Sequence, residues 1–362
     1  MRQRELERIL ELARWAPSGD NTQPWRFEIT DDRTVIIHGH DTRDHCVYDL
    51  HGHASQLSLG ALLETIIIAA SGEHWKVDIC RDRDAADTKP RFELHFRPDQ
   101  TIEVHRLLAE IPRRAVQRRW MSTRRLRRAD KQALERAASP GYGIRWFESP
   151  LERFAAGRLM FRCGRIRYAI PEAFATHQGV IAWNARQSMD RIPDQALGVS
   201  AMQLRVMRLA MKSWAHMQLA NRLFAAGWTT PIQMDLLPAM ACGAHFVIVA
   251  GRSPAGIDDY VDAGRAVQRV WLTATSLGLW QQPEMVPLIF SEYARSGTRF
   301  TRIAGKQDAA GDIDIKLRQM LGGDADRAVW MARIGGGESP DARAIRLPLE
   351  QLLTAPQASP TP

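Results

Sequence analysis

Several common functions lack their raw material in this chain. Only four cysteines occur in 362 residues, Cys46, Cys80, Cys163 and Cys242, far apart and without a C-x-x-C pair. That argues against a disulfide framework or a thiolate metal centre, and the thiols are expected to be reduced and buried. Neither G-x-x-x-x-G-K-[ST] nor G-x-G-x-x-G is present, so no phosphate loop and no dinucleotide fingerprint is indicated. The longest apolar run, Leu57 to Ala70, is broken by Gly60 and Glu64 and falls short of the roughly 20 residues that span a bilayer. It reads as a buried core helix, and no membrane partner is expected. The opening Met1-Arg2-Gln3-Arg4-Glu5 lacks the apolar core of a signal peptide, which points away from export and to a cytoplasmic protein. His38, His40, His45, His51 and His53 crowd one region, and an H-x-H on a strand would place two rings on one face. No cysteine or carboxylate stands at convincing spacing, so no metal site is expected.

What is present suits a large folded protein. With 45% hydrophobic residues the chain can bury a sizeable core, and its length suggests two domains or two fused halves. The net charge of +8 is concentrated: Arg113 to Arg136 carries ten basic residues against Asp130 and Glu135, a local +8. A basic strip can bind nucleic acid, but nucleic acid is not the expected partner. Arginine clustered in this way also suits phosphate, because its planar fork binds two oxygens and stays charged.

Near the amino terminus, Leu6, Ile9, Leu10 and Ala13 fall at i, i+3, i+4 and i+7, one face of a helix that Pro17 stops. Small polar residues follow and lead into Trp25-Arg26-Phe27-Glu28-Ile29, which alternates like a strand. This elbow could present Ser18, Asn21 and Gln23 to a planar polar ligand; the same composition also serves an ordinary turn. Farther on, Cys242 to Ala250 reads as a buried strand, followed by a helix from about Asp258.

The phrase Ala16-Pro17-Ser18-Gly19-Asp20-Asn21-Thr22-Gln23-Pro24-Trp25-Arg26-Phe27 resembles the loop that contacts FMN in the nitroreductase superfamily. That resemblance implies an α+β fold, FMN bound at a dimer interface, and electrons carried from NAD(P)H to a small organic acceptor. Arg113-Arg114-Ala115-Val116-Gln117-Arg118-Arg119 is similar to the family's R-R-x-x-x-R phosphate grip, although the serine often found within it is absent. By this resemblance Arg114 and Arg118, then Arg119, would hold the phosphate. Ala263 to Leu279 resembles the family's long core helix, and Trp280 to Met285 the segment beside the flavin ring, with Pro283 in it. Trp280 would stack on the ring or belong to the core. Trp330 to Gly335 resembles the last family strand, and Arg343 and Arg346 its basic tail. Asp41, Arg43 and Asp49 look like a structural loop of tandem relatives.

In a single unit of that family the arginines precede the helix and loop; here they follow about a hundred residues later. A second helix with Leu134, Ala137 and Ala138 leads through Ser139-Pro140-Gly141 to Ile144-Arg145-Trp146-Phe147, an echo of the first elbow without its Asn and Gln. The resemblance therefore implies two fused, partly degenerate halves, 1–110 and 111–354, forming a pseudo-dimer with one composite FMN site, and a disordered tail at 355–362. Side-chain acids or bases are not required, since the chemistry is the flavin's; Asp190 is a candidate for lining the pocket. Residues Arg158 to Phe224, rich in Met and Trp, form an insertion expected to cover it. Tandem relatives include flavin-sequestering proteins and partners of ThiF-like adenylating proteins. An FMN storage or docking protein with little turnover is therefore the alternative, with an adenylating enzyme or a second copy as partner.

Overall fold

The computed structural model of the chain describes residues 2–223 and 226–355. The expected disordered tail beyond Ala355, and Phe224 at the end of the expected insertion, lie outside the described residues. The first block runs α1 (Arg2–Ala13), β1 (Trp25–Ile29), β2 (Thr34–Gly39), α2 (His53–Ser71), β3 (Trp75–Asp82) and β4 (Arg91–Pro98). Its strands form an antiparallel sheet of order β1-β2-β4-β3. β4 shows why only one face is covered. Phe92, Leu94 and Phe96 are buried while Arg91, Glu93, His95 and Arg97 alternate outward, the period of a half-buried strand. The inner face packs on α1, through the expected stripe Leu6, Ile9, Leu10 and Ala13, and on α2.

The second block begins with α3 (Arg128–Ala138), β5 (Tyr142–Phe147) and α4 (Pro150–Arg167). A block of short elements follows: α5 (Pro171–Val180), β6 (Ile181–Ala182), β7 (Gln187–Ser188), β8 (Ile192–Pro193), α6 (Ala201–Ala210), α7 (Trp214–Leu223), α8 (Ala226–Pro231) and α9 (Leu237–Met240). The chain then returns through β9 (Ala244–Ala250), α10 (Ile257–Ser276), β10 (Leu279–Pro283), α11 (Val286–Ser296), α12 (Ala304–Leu321), β11 (Ala328–Gly336), β12 (Arg343–Ala344) and α13 (Leu349–Leu352). β5, β9, β11 and β10 form a second antiparallel sheet in that order. β9 is buried along its whole length: α3 and α10 cover one face of this sheet, and α4, α11 and α12 the other. Covering on both sides is the reason its sequence is a continuous apolar run rather than an alternation.

With α4–α9, α11 and α12 set aside, the second block repeats the first as helix, strand, strand, long helix, strand, strand. The two sheets have the same order, since β5-β9-β11-β10 answers β1-β2-β4-β3. The two long helices of this plan, α2 and α10, cross at glycines. A Cβ on Gly60 would lie 1.8 Å from the carbonyl oxygen of Val261, and one on Gly264 would lie 2.1 Å from that of Leu57. Only a residue without a side chain lets the backbones approach this far. α2 is long and apolar enough to cross a membrane by length and composition, but 89% of its most apolar window is buried inside the protein, as a core helix requires.

The carboxy-terminal segment crosses back to the first block. Leu349 and Leu352 are buried in the first core, and Thr354 N donates to Phe27 O at 2.8 Å. Residues expected to close the second half therefore pack within the first. The Asp41, Arg43 and Asp49 loop caps α2. Asp49 accepts from Ala54 N at 2.7 Å and from the hydroxyls of Ser55 and Thr42 at 2.6 and 2.9 Å.

Candidate active site

Between α2 and α10, beneath the block α5–α9, lies a cavity of about 600 Å³, within the roughly 300–1,000 Å³ of cofactor and small-molecule sites. Three segments that are remote in sequence meet on its wall: Pro17, Ser18 and Asn21 from the first loop, Arg114 and Arg118, and Arg343 and Arg346 from the tail, with Pro283 of β10 beside them.

The first loop is held in an unusual backbone. Asp20, Asn21 and Gln23 have φ of 50°, 65° and 48°, left-handed values that non-glycine residues adopt at a cost of about 1–3 kcal/mol each and that collect at functional sites. Its polar side chains stabilise it. Asn21 Nδ2 donates to the carbonyls of Met189, Ile345 and Arg191 at 3.0, 3.1 and 3.3 Å. Gln23 Nε2 donates to Met189 O at 2.8 Å, and Gln23 Oε1 accepts from Leu347 N at 2.9 Å. Gln23 is fully buried behind the wall, so the structure assigns it to holding the loop rather than facing the cavity. Ser18 Oγ accepts from Gln23 N at 2.9 Å, which leaves its proton for a ligand. Asn21 Oδ1 is buried without a partner among the described residues.

The arginines dominate the electrostatics. Arg114 is buried, donates to Trp15 O at 3.2 Å, and holds its guanidinium 4.7 Å from the centre of the Trp271 ring. Arg343 donates to Arg114 O at 3.1 Å. Arg346 is buried and donates to Ala16 O and Ile345 O, both at 2.9 Å. These partners are all main-chain carbonyls, and Nε of both Arg114 and Arg343 has none among the described residues. Burial, with repulsion from Arg346 and Arg343, drives the Arg114 pKa well down. Burial, with repulsion from Arg343 and Arg14, lowers that of Arg346 to about 9. Clustered cations, two of them buried, with unused donors can receive an anion. Arg118 and Asp20 also lie on the wall and attract one another. Burial raises the Asp20 pKa against the pull of Arg118 and Arg167.

Other expected residues fall elsewhere. The side chain of Arg119 is exposed, and its carbonyl accepts from Arg333 at 3.0 Å. Trp280 lies off the cavity wall and donates from Nε1 to Gly337 O at 3.0 Å. Asp190 is exposed and accepts from Ser188 Oγ at 3.1 Å. The inserted block does lie on the cavity, contributing Met202, Met207, Met211, Trp214 and Met217 to its wall.

Sequence reasoning missed three features. Trp271, the platform under Arg114, stands at i+7 from Gly264 on α10 and was legible from helical period alone. Arg333, 1% exposed, ties the arginine segment to β10 through Arg118 O at 2.8 Å and Gln282 Oε1 at 2.7 Å, with no local signal. A buried pair, His245 Nδ1 and Glu284 Oε2 at 2.6 Å, joins β9 to the end of β10. Burial opposes charge on His245, but Glu284 and Cys242 outweigh it and raise its pKa to about 10.

Residues 1–50 match the sequence model of the nitroreductase family. An uncharacterized protein of Mycobacterium tuberculosis is 24% identical over 291 residues, which cover 80% of this chain and 39% of that protein; the chain thus spans about two fifths of the curated relative it matches. Among solved structures, a nitroreductase with bound FMN from Bacteroides fragilis is 9% identical, with a TM-score of 0.36 over 65% of this chain and 89% of that one. A proposed nitroreductase from Anabaena variabilis is 10% identical, with a TM-score of 0.46 over 92% of this chain and 88% of that one.

Proposed function

We propose that this chain binds one FMN in the cavity and acts as a flavin oxidoreductase of nitroreductase type, passing electrons from NAD(P)H to a small organic acceptor. The observation that carries the reading is the cluster Arg114, Arg343 and Arg346. Arg114 and Arg346 are buried and Arg343 half-buried; they repel one another, donate to main-chain carbonyls and, among the described residues, keep two Nε atoms without partners. A phosphate monoester supplies the charge that this cluster lacks. The match of residues 1–50 to the nitroreductase family supports flavin as the body attached to that phosphate.

The residues present fit such a group. Arg114, Arg343 and Arg346 would hold the phosphate, with Arg118 next along the wall. The Ser18 hydroxyl proton and the bare Asn21 Oδ1 offer a donor and an acceptor to a heterocycle. Bound FMN would supply the electron-transfer chemistry. The chain's own part is to fix the cofactor, keep a fixed positive field beside it that favours added negative charge, and exclude water through the methionine-rich wall. The repeated helix and strand order supports the tandem reading, in which one block gives the loop and the other the arginines, with halves 1–110 and 111–354.

The test is the visible absorption spectrum of the purified full-length chain under anaerobic conditions, before and after NADH or NADPH. One FMN per chain that bleaches supports the reductase; one that stays oxidised sinks turnover and leaves an FMN storage or docking role. No binding of added FMN overturns the site itself.

A further inference from the structure

On the far side of the Asp49 cap, the His51-Gly52-His53 turn meets Glu292 of α11. His51 Nδ1 lies 2.9 Å from Glu292 Oε1, and His53 Nδ1 lies 3.0 Å from Glu292 Oε2. Gly52 is what brings the two rings together. Its φ is +78°, and a Cβ there would lie 2.4 Å from Arg43 Nη2.

The hydrogen-bond directions around His51 are determined by counting protons. Ser296 Oγ donates to Glu292 O at 2.9 Å, which uses its only proton. Its 2.7 Å contact with Thr298 Oγ1 must then use the Thr298 proton. Thr298 Oγ1, with its proton spent, can only accept from His51 Nε2 at 2.8 Å. Neutral His51 therefore carries its hydrogen on Nε2 and turns the bare lone pair of Nδ1 toward a carboxylate oxygen. Two lone pairs at 2.9 Å repel unless a positive particle stands between them.

We propose that His51, His53 and Glu292 form a binding site for a divalent transition-metal ion, with Zn²⁺ the best match. Two imidazoles, a carboxylate and one open position form a donor set that zinc accepts. The ligating atoms lie within 4.8 Å of one another. A tetrahedral ion with bonds of about 2.0–2.2 Å sets its ligand atoms roughly 3.4 Å apart, so the carboxylate must withdraw by roughly half an ångström from each ring and the side chains must adjust around the ion. His51 already donates its other ring nitrogen to a fixed acceptor, as metal-bound histidines do, and His53 stacks on Tyr260 at 3.7 Å between centroids. The three side chains are 26%, 26% and 28% exposed, which gives an ion and a water access. Arg43, the cation beyond Gly52, is paired with Asp41 at 2.6 Å. The bound ion would join the amino end of α2 to α11, clipping the two blocks outside the cavity.

The test uses the flavin-free full-length chain stripped with a chelator. Zn²⁺ is titrated by calorimetry, and Co²⁺ is followed by its ligand-field absorption. The expected result is one saturable ion per chain, intense low-coordinate Co²⁺ bands, and affinity about tenfold or more weaker in E292Q and H53N. H45A, altered at an exposed histidine paired with Asp44, keeps wild-type affinity. Melting temperature and circular dichroism of the variants without metal establish that they fold. Absence of saturable binding, or wild-type affinity in both E292Q and H53N, overturns the proposal. Neither result depends on the flavin reading.

Discussion

Replacing Gly60 with alanine probes the joint between the two blocks. The new carbon would lie 1.8 Å from the Val261 oxygen, whereas a relaxed carbon–oxygen contact is about 3.3 Å, so α2 and α10 must part by roughly 1.5 Å. The obstacle is backbone, with no flexible side chain to give way, and a gap of even about 1 Å forfeits up to half of the dispersion energy across it. Overpacking of this kind costs about 3 kcal/mol, the upper end of its usual range. The better helix propensity of alanine returns about 1 kcal/mol. The net loss of about 2 kcal/mol lowers the melting temperature of a chain of this length by about 3 °C. Gly311, inside α12 with nothing within 4 Å of its Cβ position, is the matched control: G311A gains the propensity term alone and melts at or above the wild type. Differential scanning calorimetry of both variants decides. A G60A protein as stable as wild type, or a G311A protein equally damaged, refutes the reasoning. Because Leu57, Ala61 and Trp271 line the cavity, G60A also weakens FMN binding while G311A does not.

Arg114→Met is expected to act with opposite signs. Removing one buried cation from a cluster of three that repel one another leaves the ligand-free melting temperature unchanged or raised, while FMN affinity falls about 10- to 100-fold with the loss of a charge-assisted bond; calorimetry and fluorescence titration measure the two. The His245 pKa of about 10 in the fold lies above about 6.5 for the unfolded chain. Its contribution to stability is therefore complete below pH 6.5 and lost as pH rises through about 10. Urea midpoints from pH 6 to 10.5 should fall more steeply for wild type than for H245Q, and parallel curves would rule this out. Asn21→Ala removes the donor to three carbonyls, so residues 343–354 should become sensitive to limited proteolysis with a stability loss of about 1–3 kcal/mol; unchanged protection counts against that anchoring role.

Features governed by local physics were legible in the sequence. The stripe Leu6, Ile9, Leu10 and Ala13 and the apolar run of β9 announce a one-faced helix and a doubly covered strand, and both appear where expected. The elbow at Pro17 and the arginines at 114, 118, 343 and 346 were recognisable as chemistry, and they reach one cavity. Misplaced expectations involved long-range geometry. Asp190 faces solvent because the β7–β8 turn meets the first loop through its main-chain carbonyls, which accept from Asn21 and Gln23, and not through that side chain. Gln23 is spent on Met189 and Leu347, partners more than 160 residues away. Glu292, the carboxylate missing from the histidine cluster, stands 241 residues from His51, and no periodicity encodes such a meeting. Gly60, at the α2–α10 crossing, read only as a break in an apolar run until its partner backbone was in place.

The central claim is that a phosphate-bearing flavin sits where the arginines converge. The most direct measurement is paired calorimetric titration of the purified chain with FMN and with riboflavin, which differ by the phosphate alone. The account predicts one FMN per chain, bound at least about 100-fold more tightly than riboflavin, with the gap shrinking in Arg114→Met. Equal affinities for the two flavins, or a gap that Arg114→Met leaves intact, would contradict it.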